Sequence, residues 1–297
     1  LYGRSEGLTA PPVPADEQVS PDPNLPGDAF TLTTGTDNAS ANTFIADRAI
    51  VGGAFFNTLN NADQLTGTGD SPTLNVQLTG TVTPAKLANI SEINLEATGI
   101  AILNAVNATG VQAVNLSNLA GAATVSNLVA PLTTASITNN NASNATITIA
   151  DTALAGTDDS VALTLSGMSG AAVVLDGVAG VQGYETINLT STGVLANTIA
   201  SLNIAGTRSN STTTLNIDGA QDLAITGALG SAIITIDATE AAGDLGLQTS
   251  NVGGNLSVQL GAGDDGLYVS EAGALDTDDT LDGGDGANTL RVDDADV

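Results

Sequence analysis

The chain has 297 residues, with 32 Asp plus Glu against 5 Lys plus Arg and no His, Cys or Trp, giving a formal charge of -27. That charge repels phosphate backbones and anionic lipid headgroups, so no nucleic-acid partner is expected. Without His or Cys there is no zinc finger, haem ligation, Ser-His-Asp triad or cysteine nucleophile, and any metal must be a hard cation held by oxygen, with calcium the natural candidate.

The hydrophobic 42% is almost all Ala, Val, Ile and Leu, since aromatic residues make up 2%. Small aliphatic residues alternating with Thr and Asn suit thin, repetitively stacked strands better than the bulky centre of a globule. No run approaches the 18 apolar residues of a membrane span, so membrane insertion is not expected. The sequence opens at Leu1 without a charged leader and reads as a piece of something longer.

Taken in chain order, residues 1–28 carry Pro11, Pro12, Pro14, Pro21, Pro23 and Pro26 among acidic residues and read as an extended Pro-rich linker. Residues 29–80 form an N-terminal β segment of short runs such as Phe30-Thr31-Leu32-Thr33 and Leu74-Asn75-Val76-Gln77-Leu78. Residues 81–260 repeat a three-residue alternation followed by a polar or Gly turn. Examples are Ile93-Asn94-Leu95, Val114-Asn115-Leu116, Ser136-Ile137-Thr138, Ile147-Thr148-Ile149, Leu163-Thr164-Leu165, Ile187-Asn188-Leu189, Leu202-Asn203-Ile204 and Leu215-Asn216-Ile217.

Leu95, Leu116 and Ile137 are 21 residues apart (116 − 95 and 137 − 116), and later intervals shorten to about a dozen. Self-similarity near 20 residues predicts an all-β, right-handed parallel β-helix, or β-solenoid. A β-sandwich is the competing architecture, because the intervals are irregular. The central Asn residues (94, 115, 188, 203, 216) are expected to form ladders or face solvent, and helix is nearly absent, since Pro84 to Ile90 and a few Ala-rich turns are too short to stand alone as helices.

The most specific pattern lies in residues 261–297. Gly283-Gly284-Asp285-Gly286-Ala287-Asn288-Thr289-Leu290-Arg291 fits the nonapeptide G-G-x-G-x-D-x-U-x except at the sixth position, where Asn288 replaces Asp. Asp279, Thr280 and Leu281 lie nine residues before Asn288, Thr289 and Leu290, and Leu260-Gly261-Ala262-Gly263-Asp264-Asp265-Gly266-Leu267-Tyr268 is a further copy lacking only the first Gly. The glycines let the backbone aim carbonyl oxygens at one point, the Asp completes a cation's shell, and the aliphatic residue packs inward.

The candidate ligand set is therefore Gly261, Gly263, Asp264, Asp265, Asp276, Asp278, Asp279, Asp282, Gly284, Asp285, Gly286 and Asn288, with calcium as the cofactor and Asp265, Asp279 and Asp285 foremost. Asp293, Asp294 and Asp296 would continue the series. Fainter echoes at Gly67-Thr68-Gly69-Asp70 and at Thr33 to Asp37 read as solvated β-turns.

This signature resembles the calcium-binding RTX repeats of proteins exported by bacterial type I secretion, and the chain as a whole resembles calcium-dependent surface-layer proteins of Gram-negative bacteria. The resemblance implies a secreted, extracellular, cell-surface protein that self-associates into a lattice, with calcium bound within coils and between subunits. It also implies attachment to lipopolysaccharide or a cell-surface glycan through other domains. An RTX-type adhesin segment that binds a glycan or another cell is the alternative.

An enzyme is not expected. Arg4, Arg48, Lys86, Arg208 and Arg291 are scattered singly, and seven aromatic residues cannot build a sugar platform. The Thr-rich triplets do not recur at one spacing, which speaks against a flat ice-matching face.

Overall fold

The computed structural model describes residues 28–140, 142–204, 213–249, 255–270 and 275–293. The linker expected over residues 1–28 lies, apart from Asp28, outside the described residues, as do Asp294 and Asp296. The chain is an all-β parallel solenoid of about 11 turns, without a helix among the described residues.

One face of every coil belongs to a continuous parallel ladder. It runs through Ala29–Thr31, Thr43–Ala46, Thr73–Val82, Glu92–Asn104, Ala113–Ser117, Thr134–Asn140, Ser160–Gly177, Thr186–Thr192, Thr213–Gly219, Ile233–Ala241, Ser257–Gln259 and Thr280–Asp282. The chain then turns a corner into a second face. Residues 80–82 and 101–103 begin that ladder, and it continues through Ala123–Leu128, Ala145–Ile149, the far end of Ser160–Gly177, Asn197–Asn203, Leu223–Ile225, Leu245–Thr249, Gly266–Val269 and Thr289–Val292. A third face is paired mainly in the early coils, through Asn38–Ala41, Gln64–Gly67 and Lys86–Ala88, with a bridge from Leu87 to Ala108.

The alternating triplets work because side chains alternate across a strand. In register on the first face, Leu74, Ile93, Val114, Ala135, Leu163, Leu189 and Ile217 stack into one buried column, and Val76, Leu95, Leu116, Ile137 and Leu165 into another. The second face answers with Val82, Leu103, Val125, Ile147 and Leu175. The interior is narrow, and among the described aromatics only Phe44 and Tyr184 are fully enclosed. The Tyr184 hydroxyl is satisfied there by the backbone N–H of Leu132 at 2.8 Å.

The outward residues between these columns pair with each other along the solenoid. Asn94 donates to Asn75 Oδ1 at 2.8 Å, Asn115 to Asn94 Oδ1 at 2.7 Å, and Ser136 Oγ to Asn115 Oδ1 at 2.6 Å. Asn216 does the same to Asn188 at 2.8 Å. These are the expected ladders, each amide oxygen serving the coil that follows.

The strand pairing also accounts for the irregular intervals. The intervals of about a dozen residues are not short coils. Ser136-Ile137-Thr138 and Ile147-Thr148-Ile149 are first-face and second-face strands of one coil, while the coil itself lengthens, Ile137 lying against Leu165. The stretch Pro84 to Ile90 is not a helix: Lys86–Ala88 is drawn into strand by the paired edge above it, where Lys86 N–H meets the Asp63 carbonyl at 3.1 Å. The strand Thr73–Val82 spans residue 80, and the first-face ladder continues past residue 260.

One element departs from the coil. Ala49–Val51 and Ala54–Phe56 form an antiparallel hairpin around Gly52 and Gly53, both at positive φ, where other coils place a second-face strand. The gap in the wall is filled by Asn57, whose side chain imitates a strand: Nδ2 donates to the Thr79 carbonyl at 2.7 Å and Oδ1 accepts the Thr79 N–H at 3.2 Å.

Candidate functional site

The corner leading into the second face gathers most of the predicted ligands. Coils here come so close that glycine is required. A Cβ on Gly263 would sit 2.6 Å from the Gly243 carbonyl oxygen, and one on Gly284 would be 2.6 Å from that of Leu260. Gly284 and Gly286 also hold positive φ, of 70° and 93°. The glycines of one turn thus lie against the carbonyls of the turn before, Gly284 against Gly261 and Gly286 against Gly263.

Carboxylates link the coils along the same corner. Asp222 Oδ1 accepts the Asp244 N–H at 2.9 Å, Asp244 Oδ1 that of Asp264 at 2.8 Å, and Asp264 Oδ1 that of Ala287 at 2.8 Å. Beside this exposed staircase Asp265 points inward and is 2% exposed. Its Oδ1 accepts the Leu245 N–H at 2.8 Å, whereas its buried Oδ2 has no hydrogen-bond partner. Burial chiefly, and then the neighbouring charges of Asp244 and Asp264, hold the Asp265 carboxyl above the usual carboxylate range, against the backbone N–H groups of Leu245 and Gly261.

Asn288 lies in register with Asp265 one coil later, since Gly266 pairs with Thr289. Asp285 is exposed at this corner and its N–H bonds the Gly261 carbonyl at 2.9 Å.

The other predicted carboxylates are elsewhere. Asp276, Asp278 and Asp279 form the opposite corner, before the first-face strand Thr280–Asp282. Both Asp279 oxygens are already engaged, Oδ1 by the Leu256 N–H at 2.7 Å and Oδ2 by the Asp276 N–H at 2.6 Å. Asp276 Oδ1 caps Asp278 N–H at 2.8 Å, and Asp282 Oδ1 caps Gly284 N–H at 3.0 Å. Asp265 and Asp279, 14 residues apart, therefore lie at two different corners of the solenoid.

Among the described residues no three His, Cys, Asp or Glu side chains converge as a metal cluster. The Asp265 corner differs from its neighbours in one respect that bears on a hard cation, the buried Oδ2 of Asp265. A buried carboxylate oxygen without a donor is the kind of group such an ion neutralises. At the Asp279 corner, by contrast, each carboxylate oxygen already accepts one backbone N–H.

The echo at Thr33 to Asp37 is exposed from Thr33 to Thr36, as a solvated turn would be, but its Asp37 is not. Asp37 is buried, accepts the Thr33 N–H at 2.8 Å and hydroxyl at 3.1 Å, and sends its own N–H to Asp63 Oδ1 at 2.9 Å. Asp63, fully buried and absent from the sequence-derived set, also accepts the Asn60 N–H at 2.8 Å. Desolvation raises its pKa against these two donors. Asp70, by contrast, is exposed, as a solvated turn would be.

A second surface is the hairpin. Ile50, Val51, Phe55 and Phe56 are all exposed, and Arg48 lies 5.2 Å from the Phe55 ring centroid while donating to Thr98 Oγ1 at 2.9 Å.

The chain is similar to a protein named S-layer protein from Synechocystis sp. They are 29% identical over 279 residues, which covers 80% of this chain. The chain spans 16% of that relative's length. No family model matches the chain, and no solved structure matches it.

Proposed function

We propose that this chain is a structural segment of a bacterial surface layer: extracellular, at the cell surface, and without catalytic activity. It would fold and self-associate into a lattice in a calcium-dependent way, as a secreted protein of RTX type. The observation that carries the reading is the unbroken parallel ladder of about 11 turns in a chain similar to an S-layer protein. A stack that buries its apolar columns only against neighbouring coils is a scaffold, and the similarity favours a lattice over an adhesin. The Asp265 corner supports calcium as the cation, with Asp265 and the turn's carbonyl oxygens as the groups that would hold it.

Self-association needs a surface where two copies of a chain with a charge of -27 can meet. The hairpin offers one, since no carboxylate occurs from Arg48 to Ala62 and its apolar residues are exposed. Its partner would be a second copy of this chain.

The test is circular dichroism and light scattering during calcium titration, with magnesium as control and EGTA for reversal. β signal and assembly should both rise with calcium alone. The Phe55→Ser, Phe56→Ser double variant should keep the β signal and lose assembly. A wild-type chain that is already folded, monomeric and indifferent to calcium overturns the proposal.

A further inference from the structure

Two stacked turns of the same spacing close in different ways. In the later turn the Asn288 amide faces inward on its own loop. Nδ2 donates to the carbonyl oxygens of Gly283 at 2.6 Å and Asp285 at 3.0 Å, with Gly284 at 3.4 Å, while Oδ1 accepts the Asp265 N–H from the coil above at 2.8 Å. In the earlier turn Asp265 repeats half of this. Its Oδ1 accepts from the coil above, at Leu245, but its second atom is an oxygen, buried and without a donor.

The difference is chemical. A carboxamide nitrogen carries positive hydrogens that draw several carbonyls towards one point; a carboxylate oxygen repels those carbonyls unless a cation stands between them. We infer that the Asn288 carboxamide does for its own turn what a bound divalent cation does for the Asp265 turn, so that of these two turns only the one at Asp265 answers to calcium. The inference rests on the calcium reading for Asp265, but its statement about Asn288 is independent of it.

That independence fixes the experiment. The full chain, the Asn288→Asp variant and the Asp265→Asn variant are each titrated with calcium by isothermal calorimetry, and their melting is followed in EGTA and in calcium, with magnesium as control. Asn288→Asp should bind one calcium more than wild type, melt earlier in EGTA, and recover when calcium is added. Asp265→Asn should bind one fewer and melt in EGTA at or above the wild-type temperature, because it acquires the closure seen at Asn288.

An Asn288→Asp chain with wild-type stoichiometry and unchanged melting in EGTA overturns the inference. Should wild type and Asp265→Asn both ignore calcium, the calcium reading of Asp265 fails. Loss of stability in Asn288→Asp without cation, and its rescue by calcium, would still uphold the role of the amide. Should Asn288→Asp not fold in EGTA, refolding on addition of calcium supports the inference and failure to refold overturns it.

Discussion

Leu116→Ala tests whether the interior is a stack of registered columns. Leu116 is fully buried, with Leu95 directly above and Ile137 directly below it in hydrogen-bonded register. The substitution deletes three carbons, worth about 2.4 kcal/mol at about 0.8 per methylene. To this is added a cavity term, because residues pinned at strand spacing cannot slide inward to fill the space. The expected loss is about 3–4 kcal/mol, read by urea denaturation.

Hydrogen exchange should show where that loss falls. In a solenoid each coil contacts only its neighbours, so amide protection should drop in Glu92–Asn104, Ala113–Ser117 and Thr134–Asn140 and stay unchanged in Ser257–Gln259. Asn115→Ala, on the outer wall of the same strand, removes side-chain hydrogen bonds only and should cost about 1 kcal/mol. A loss below about 1 kcal/mol for Leu116→Ala, or one spread evenly to Ser257–Gln259, would refute the stacked-column account.

Tyr184→Phe removes the hydroxyl that accepts the Leu132 N–H in a fully buried setting and should cost about 1–3 kcal/mol, measured as a lower denaturation midpoint with an unchanged m-value. Asp63 predicts an unusual response to pH. Folding raises its pKa above 3.8, so the folded chain binds more protons than the unfolded one between the two values, and stability from this group is full below 3.8 and lost as pH rises through the folded pKa. Asp37, the carboxylate stacked on it, strengthens the effect. Urea midpoints followed from pH 7 down towards 4 should show a component in the wild type that favours the fold on acidification; Asp63→Asn should lack it, and equal pH slopes for the two proteins would contradict the assignment.

Much of the fold is legible in the triplets themselves. Leu95, Leu116 and Ile137 occupy one column because a 21-residue advance returns the chain to the same place on the same face. What spacing alone conceals is that two faces contribute triplets, so that Ile147 follows Ile137 closely yet stacks on Val125. The hairpin carried a local sign in Gly52-Gly53, but its short apolar runs look like any other pair of strands, and its exposure follows from Asn57 taking a strand's place.

The acidic corner at Asp265 could be read from its glycines, since only glycine permits such close approach of successive turns. Asp63 could not. Its neighbours Asn60-Asn61-Ala62 form no glycine pattern, and its burial arises from Asp37, which lies 26 residues earlier and reaches it only once the coils are stacked. The opposite-corner position of Asp279 was likewise hidden, because a nine-residue phase is shared by both corners of a coil.

Coil-on-coil stacking makes the solenoid a ruler. Each coil adds one strand spacing, ~4.8 Å, so about 11 turns set a length of roughly 50 Å along the ladder. Because Leu95 and Leu116 are equivalent points on adjacent coils, joining Asn94 directly to Leu116 would remove one whole coil, and Leu116 would then meet Val76 as Leu95 does now. The rod would shorten by a single graduation with every remaining column intact. Dimensions of an assembly built from such rods could therefore change in discrete steps of one coil.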